Sequence, residues 1–134
     1  MRFAYLLLAD AVNQSADGKL NILGAGIRTI NAPALPFSIS LAIIAAVELD
    51  LAERGPKKIQ LAIRRPDGEE VLIDDVAEMD VTEPAEEDLP ISLNLQFGIA
   101  GFELRSAGVH TIVVRVDALA HEYVFLVKAP PPAA

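Results

Sequence analysis

Two histidines, His110 and His121, are the only side chains of this sequence that ordinarily titrate near neutral pH. A catalytic or metal site built on them would need both rings close together. In the hairpin predicted below they lie at opposite ends of a strand pair, about 20 Å apart. The sequence therefore favours structural or surface positions for both histidines. A pocket that joins one of them to Asp10, Glu48 or Asp50 would restore a catalytic interpretation.

Other reactive patterns are weak or missing. The sequence contains no cysteine, which removes thiolate nucleophiles, thiolate metal sites and disulfides. No serine lies in a Gly-x-Ser-x-Gly elbow. Gly24-Ala25-Gly26 matches half of a dinucleotide fingerprint, but the third glycine and a following helix are missing. We expect a protein that is not an enzyme and that holds no cofactor.

The negative charge is concentrated in one segment, residues 74–88. The chain carries 19 acidic and 11 basic residues, a formal net charge of −8. The segment has no basic residue and contains eight of the acids: Asp74, Asp75, Glu78, Asp80, Glu83, Glu86, Glu87 and Asp88. With Pro84 and Pro90 present, its second half is expected to be a solvated loop.

Three roles remain open for this segment. The first is a solvated connection that also protects sheet edges. The second is a docking segment for a basic protein surface. The third is a set of carboxylates that binds calcium. No twelve-residue calcium loop is present. The acidic balance argues against binding nucleic acid or an anionic membrane.

The fold is expected to be all-β, because apolar residues recur at every second position. Lys57 to Arg65 alternates cleanly, and Arg65-Pro66-Asp67-Gly68 then predicts a turn into a strand from Glu69 to Asp75. Five further strands or strand pairs are predicted in the same way: residues 2–8, Lys19 to Thr29, Phe37 to Leu49, Ile91 to Phe97, and the pair Gly108 to Val116 with His121 to Lys128.

The last strand pair has a predicted register. A two-residue loop at Ala118-Leu119 would place Val116 opposite His121 and Arg115 opposite Glu122. Gly24 to Gly26 predicts a bend or bulge within the second strand, Pro33 and Pro36 predict a crossing loop, and Leu51 to Gly55 could form one helical turn. Seven or eight antiparallel strands predict a two-sheet sandwich, with a closed or partly open barrel as the alternative.

The chain is expected to form one domain over residues 1–128, followed by a proline-rich tail at 129–134. No apolar run is long enough to span a membrane, and Asp10 interrupts the N-terminal apolar run early, so a cytoplasmic location is expected.

Four motifs are spread over most of the chain: Tyr5-x-x-Leu8-Ala9-Asp10, Asp17 to Gly24, Ala32 to Pro36 and the closing strand Gly108 to Val116. Together they resemble a family of small bacterial proteins of unknown function. These motifs are turns and strand rows. The resemblance implies a β-sandwich and assigns no activity, cofactor or site residue.

The sequence favours a binding or scaffold module that acts through protein–protein contacts, including self-association. The composition is 52% hydrophobic, and Phe37 to Leu49 is apolar on both faces. Either another element of the chain covers the second face or a partner does. The alternative is a calcium-dependent or small-ligand-binding sandwich that uses residues 74–88.

Overall fold

The computed structural model describes residues 1–81 and 89–131, except for the side chain of Ala77. This part of the chain is all-β, as predicted, and its helical content is one short 3₁₀ turn. The strands in chain order are β1 (Arg2–Ala9), β2 (Ala11–Gln14), β3 (Leu20–Leu23), β4 (Thr29–Asn31), β5 (Phe37–Leu49), β6 (Gly55–Arg64), β7 (Glu70–Val81), β8 (Ile91–Leu104), β9 (Gly108–Val116) and β10 (Leu119–Lys128).

The strands form two main sheets that share one core, and no sheet closes into a barrel. One sheet has the order β1-β5-β8 and the other has the order β4-β10-β9-β6-β7. Their facing rows meet in one cluster that includes Ile43, Leu61, Ile112 and Phe125. This sandwich-like arrangement follows from the alternation, since each strand gives one row of apolar side chains to the same core.

A third, two-stranded sheet covers the outer face of β5. Ile44 and Ala42 lie on the face of β5 that points away from the main core, and Ile44 is fully buried. Val12, Leu20 and Ile22 of the β2–β3 hairpin pack against this face. The chain itself therefore covers the second apolar face of Phe37 to Leu49, so that face supplies no argument for a partner.

The described residues form ten strands, more than the seven or eight predicted. The predicted strand Lys19 to Thr29 is divided into β3 and β4. Gly24 and Gly26 both take positive φ, of 66° and 89°, which ends β3 instead of only bending it. The sandwich is also not purely antiparallel, since β4 pairs with β10 in parallel.

The β6–β7 hairpin confirms the predicted turn. The Arg65 carbonyl accepts a hydrogen bond from Gly68 N–H at 3.0 Å, and Gly68 has a φ of 93°. However, β7 continues to Val81, beyond the predicted end at Asp75. The first four acids of the acidic segment therefore belong to a paired strand. β8 is also longer than predicted, because it continues past Phe97 to Leu104 through a pairing shift between Ile99 and Phe102.

The predicted register of the β9–β10 hairpin is wrong by two residues. Leu119 pairs with Val116, and Arg115 lies opposite Ala120 instead of Glu122. The two-residue loop is Asp117-Ala118, and Asp117 takes a φ of 52°. Aspartate tolerates this left-handed conformation better than most residues, so the actual loop has the better turn chemistry.

The remaining expectations concern short segments. A 3₁₀ turn at Leu51–Glu53 confirms the predicted helical turn. Ala129 to Pro131 lie outside the strands, and the rest of the predicted tail lies outside the described residues. No helix in the described ranges has the length and apolar character needed to cross a membrane.

Candidate functional site

The outer strand β8 differs from the edge strand β7 in its charge. It is the last strand of the β1-β5-β8 sheet, and within the described residues it pairs with β5 alone. Its core-facing row, from Ile91 to Ile99, is buried. Its outer row is exposed and consists of Ser92, Asn94, Gln96, Gly98 and Ala100. No charged residue occurs between Ile91 and Phe102.

The β7 edge, the β4 edge and the C-terminal end of β1 are protected against strand addition. β7 carries five exposed carboxylates, and β4 is only three residues long. At the C-terminal end of β1, the Leu8 carbonyl accepts hydrogen bonds from Gly26 and Ile27 N–H at 2.9 and 3.2 Å. Charge, shortness and covering are the usual protections of an edge strand. Within the described part of the chain, none of the three protects residues 91–99 of β8.

A groove lies beside β8 on the outer face of the same sheet. It is open to solvent, has a volume of about 380 Å³, and separates β8 from the start of β2. The polar side chains that line it are Asp10, Ser40 and Gln96, and its apolar lining includes Val12 and Ala42. The groove and the outer row of β8 form one continuous surface, which we call the β8 surface.

The position of the groove depends on how β2 leaves β1. Asp10 N–H donates to the Leu23 carbonyl at 3.0 Å, which fixes the start of β2 against the end of β3. Gly24 approaches Asp10 so closely that a Cβ at position 24 would lie 2.8 Å from the Asp10 carboxyl carbon. Glycine is required there for this approach and for its positive φ. This contact holds Asp10 at the end of the groove.

Residues 4–127 match the model of DUF6941, which is described as a family of unknown function. The chain belongs to DUF6941. The matched range takes in both main sheets, the β2–β3 hairpin and the whole β8 surface of this DUF6941 chain. The resemblance to a family of unknown function is therefore confirmed. No curated protein matches the sequence.

The acidic segment of the DUF6941 chain is only partly described. Asp74, Asp75, Glu78 and Asp80 are exposed along β7. The Asp75 carboxylate accepts a hydrogen bond from the Gln60 amide at 3.4 Å. Among the described residues, no group of three His, Cys, Asp or Glu side chains could hold a metal ion. The remaining predicted docking residues lie outside the described residues: Glu83, Glu86, Glu87 and Asp88.

A charged network lies on part of the outer face of the five-stranded sheet. Glu70 accepts a hydrogen bond from Arg115 at 2.8 Å, and Arg64 lies 3.6 Å from the same carboxylate and 3.3 Å from Glu122. The hydrogen bond from Arg115 holds the pKa of Glu70 below its usual value. These long side chains lie over Val113, which is buried. The network is consistent with a solvated sheet face.

The two histidines lie in different environments and neither lines the groove. His110 is fully buried in the core and stacks on Phe125, with ring centroids 5.2 Å apart. His121 is exposed and stacks on Phe3 of β1 at 5.1 Å. In the observed register His121 pairs with Val114, which lies four residues along β9 from His110. The two histidines are therefore separated by about 13 Å along the strand direction. Asp10 lies at the groove, and Glu48 accepts a hydrogen bond from Arg2 at 2.8 Å.

His110 predicts a pH dependence of stability. Burial lowers its pKa below the usual value of 6.5, and its Nε2 atom has no hydrogen-bond partner among the described residues. The neutral imidazole is therefore the folded form, whereas the unfolded chain takes up a proton as the pH falls below about 6.5. The stabilisation is complete above that pH and is lost as the pH falls below it.

The measurement is chemical denaturation of the wild type and of His110→Leu between about pH 7.5 and about pH 5.5, above the ordinary range of the carboxylates. The wild type is expected to lose stability across this window, and His110→Leu is expected to lose much less. An equal loss in both proteins would show that burial of His110 is not its cause.

Proposed function

We propose that this protein is a non-enzymatic binding module that makes protein–protein contacts through the β8 surface. The observation that carries the proposal is the edge of β8, which is uncharged and which no described residue covers. Exposed edge strands bind extended segments of other chains by adding a strand, with backbone hydrogen bonds supplying affinity. The groove beside Gln96 then offers space for side chains of the added strand.

The charge distribution supports the same surface. Within the described residues, carboxylates occupy the β7 edge and a charged network lies on part of the outer face of the five-stranded sheet. Charged surfaces of this kind are costly to desolvate in the centre of an interface. The outer row of β8 has amide and hydroxyl groups, which can exchange hydrogen bonds with water for hydrogen bonds with a partner.

The alternative is a calcium-dependent or small-ligand-binding module that uses residues 74–88. Asp74 and Asp75 are neighbours on a strand, so their side chains point to opposite faces of the sheet. No observation on the described carboxylates favours this candidate over the β8 surface.

The proposal is tested by photo-crosslinking in extract of the native cell. A photoreactive amino acid is placed at Gln96 on β8 or at Val124, which is exposed on β10 of the other sheet. We expect protein adducts at Gln96, either of a second copy or of another protein, that are reduced by excess unlabelled wild type. Equal labelling at the two positions would contradict the proposal.

A further inference from the structure

The alternation of apolar and polar residues at positions 91–99 of β8 is the same when the strand is read in the opposite direction. Two antiparallel strands keep their apolar rows on one face only if the numbers of opposed residues add to an even total. A two-fold axis through Leu95 meets this condition for residues 91–99. It places Asn94 opposite Gln96 of the second copy, and Leu93 opposite Phe97 of the second copy. Amides then face amides, and apolar residues face apolar residues.

Charge also favours this pairing over contacts elsewhere. Each copy has a net charge of −8, so two copies repel one another over most of their surfaces. Residues 91–99 contain no charge, so this register brings no like charges together. From this self-complementarity we infer that β8 pairs with β8 of a second copy. The product is a continuous six-stranded sheet of order β1-β5-β8-β8-β5-β1.

The length of the pairing sets its strength. The register shift after Ile99, at the position of Gly101 with its φ of 67°, ends the regular edge of β8. Nine residues give a contact about 30 Å long and about 10 Å deep. This contact is small for a protein interface, so the pair is weak and forms at micromolar concentrations or above. Added salt strengthens it, because screening reduces the repulsion between the two acidic copies.

The inference rests on the proposed function and names its partner as a second copy. Sedimentation velocity between about 1 and about 500 μM tests it in purified full-length protein. The wild type is expected to dimerise reversibly. One variant carries Asn94→Lys and Gln96→Lys, and a second carries Asn94→Glu and Gln96→Glu. Each places like charges directly opposite across the two-fold axis, and each alone is expected to lose the dimer.

A mixture of the two variants separates this register from other modes of association. Lysine then lies opposite glutamate at both positions, so mixing is expected to restore dimers in which each copy comes from a different variant. The lysine variant also reduces the net negative charge, so non-specific association would increase in it instead of disappearing. The matched control is Val109→Lys with Val124→Lys, on exposed positions of the five-stranded sheet, and it is expected to dimerise at least as well as wild type.

Two results would overturn the inference. One is a wild type that stays monomeric over the whole range, and the other is a dimer that both β8 variants retain. The crosslinking experiment at Gln96 tests the proposed function independently of pairing with a second copy. Adducts with a different protein, from a chain that is monomeric when purified, would retain the binding module and reject self-pairing. A monomeric chain that also gives no specific adducts at Gln96 would reject both the binding module and self-pairing.

Discussion

Replacing Ile44 with alanine is expected to lower the free energy of unfolding by about 2–5 kcal/mol. Ile44 is fully buried, although it lies on the face of β5 that points away from the main core. Its burial depends on the β2–β3 hairpin, which places Val12, Leu20 and Ile22 over it. Truncation removes apolar contact and leaves a cavity beneath the hairpin.

Chemical denaturation of Ile44→Ala measures this effect. Leu72→Ala is the matched control, because Leu72 is a large apolar residue of the sandwich that is 53% exposed. A substitution at such a surface position is expected to change stability by less than about 0.5 kcal/mol. If Ile44→Ala costs no more than Leu72→Ala, the hairpin does not cover the outer face of β5 in solution.

Arg65→Ala is expected to destabilise the fold by about 2–4 kcal/mol, through loss of a charged hydrogen bond and a cation–π contact. Arg65 is only 8% exposed, at the turn between β6 and β7. Its guanidinium donates to the Glu103 carbonyl at 2.7 Å and lies 4.7 Å from the centre of the Phe102 ring. One side chain therefore joins the five-stranded sheet to the end of β8.

Arg65→Lys tests the geometry of this contact. A lysine keeps the positive charge, but its compact ammonium cannot both stack flat on Phe102 and reach Glu103 as the planar guanidinium does. We expect Arg65→Lys to lose more than half of the stability that Arg65→Ala loses, as measured by thermal or chemical denaturation. Wild-type stability in Arg65→Lys would mean that charge alone accounts for the contribution of Arg65.

The sequence predicted individual strands better than their pairing. Phe37 to Leu49 and Gly108 to Val116 have the predicted bounds, because alternation records which side chains face a core. The β9–β10 register was missed because a shift of two residues leaves every side chain on the same face. Only the loop distinguished the two registers, through the ability of Asp117 to take a positive φ.

The strand β7 was predicted to end too early for a different reason. The sequence predicted this strand only to Asp75, but strand pairing with β6 extends through the next acids to Val81. At an edge, one side of the strand is free, so charge is tolerated there and protects the sheet. Sequence reasoning did not assign β7 to an edge, because strand order is a property of the whole fold.

The β8 surface was missed by sequence reasoning, although part of its signal is readable. Residues 89–102 are all uncharged, although the longer uncharged run 29–47 contains most of the central strand β5. The run 89–102 predicts a strand but does not show that the strand is outermost. The groove is not readable at all, because it brings together Asp10, Ser40 and Gln96 from three separate parts of the chain.

The covering of β1 by Gly26 and Ile27 has a consequence for how large an assembly can grow. A sheet that is open on both sides can add copies without limit and form fibres, whereas a sheet that is open on one side stops at two. Here the Leu8 carbonyl is already occupied, so the far margin of the sheet does not template a further chain at that point. In the inferred pair, this covering limits further growth at the C-terminal end of β1.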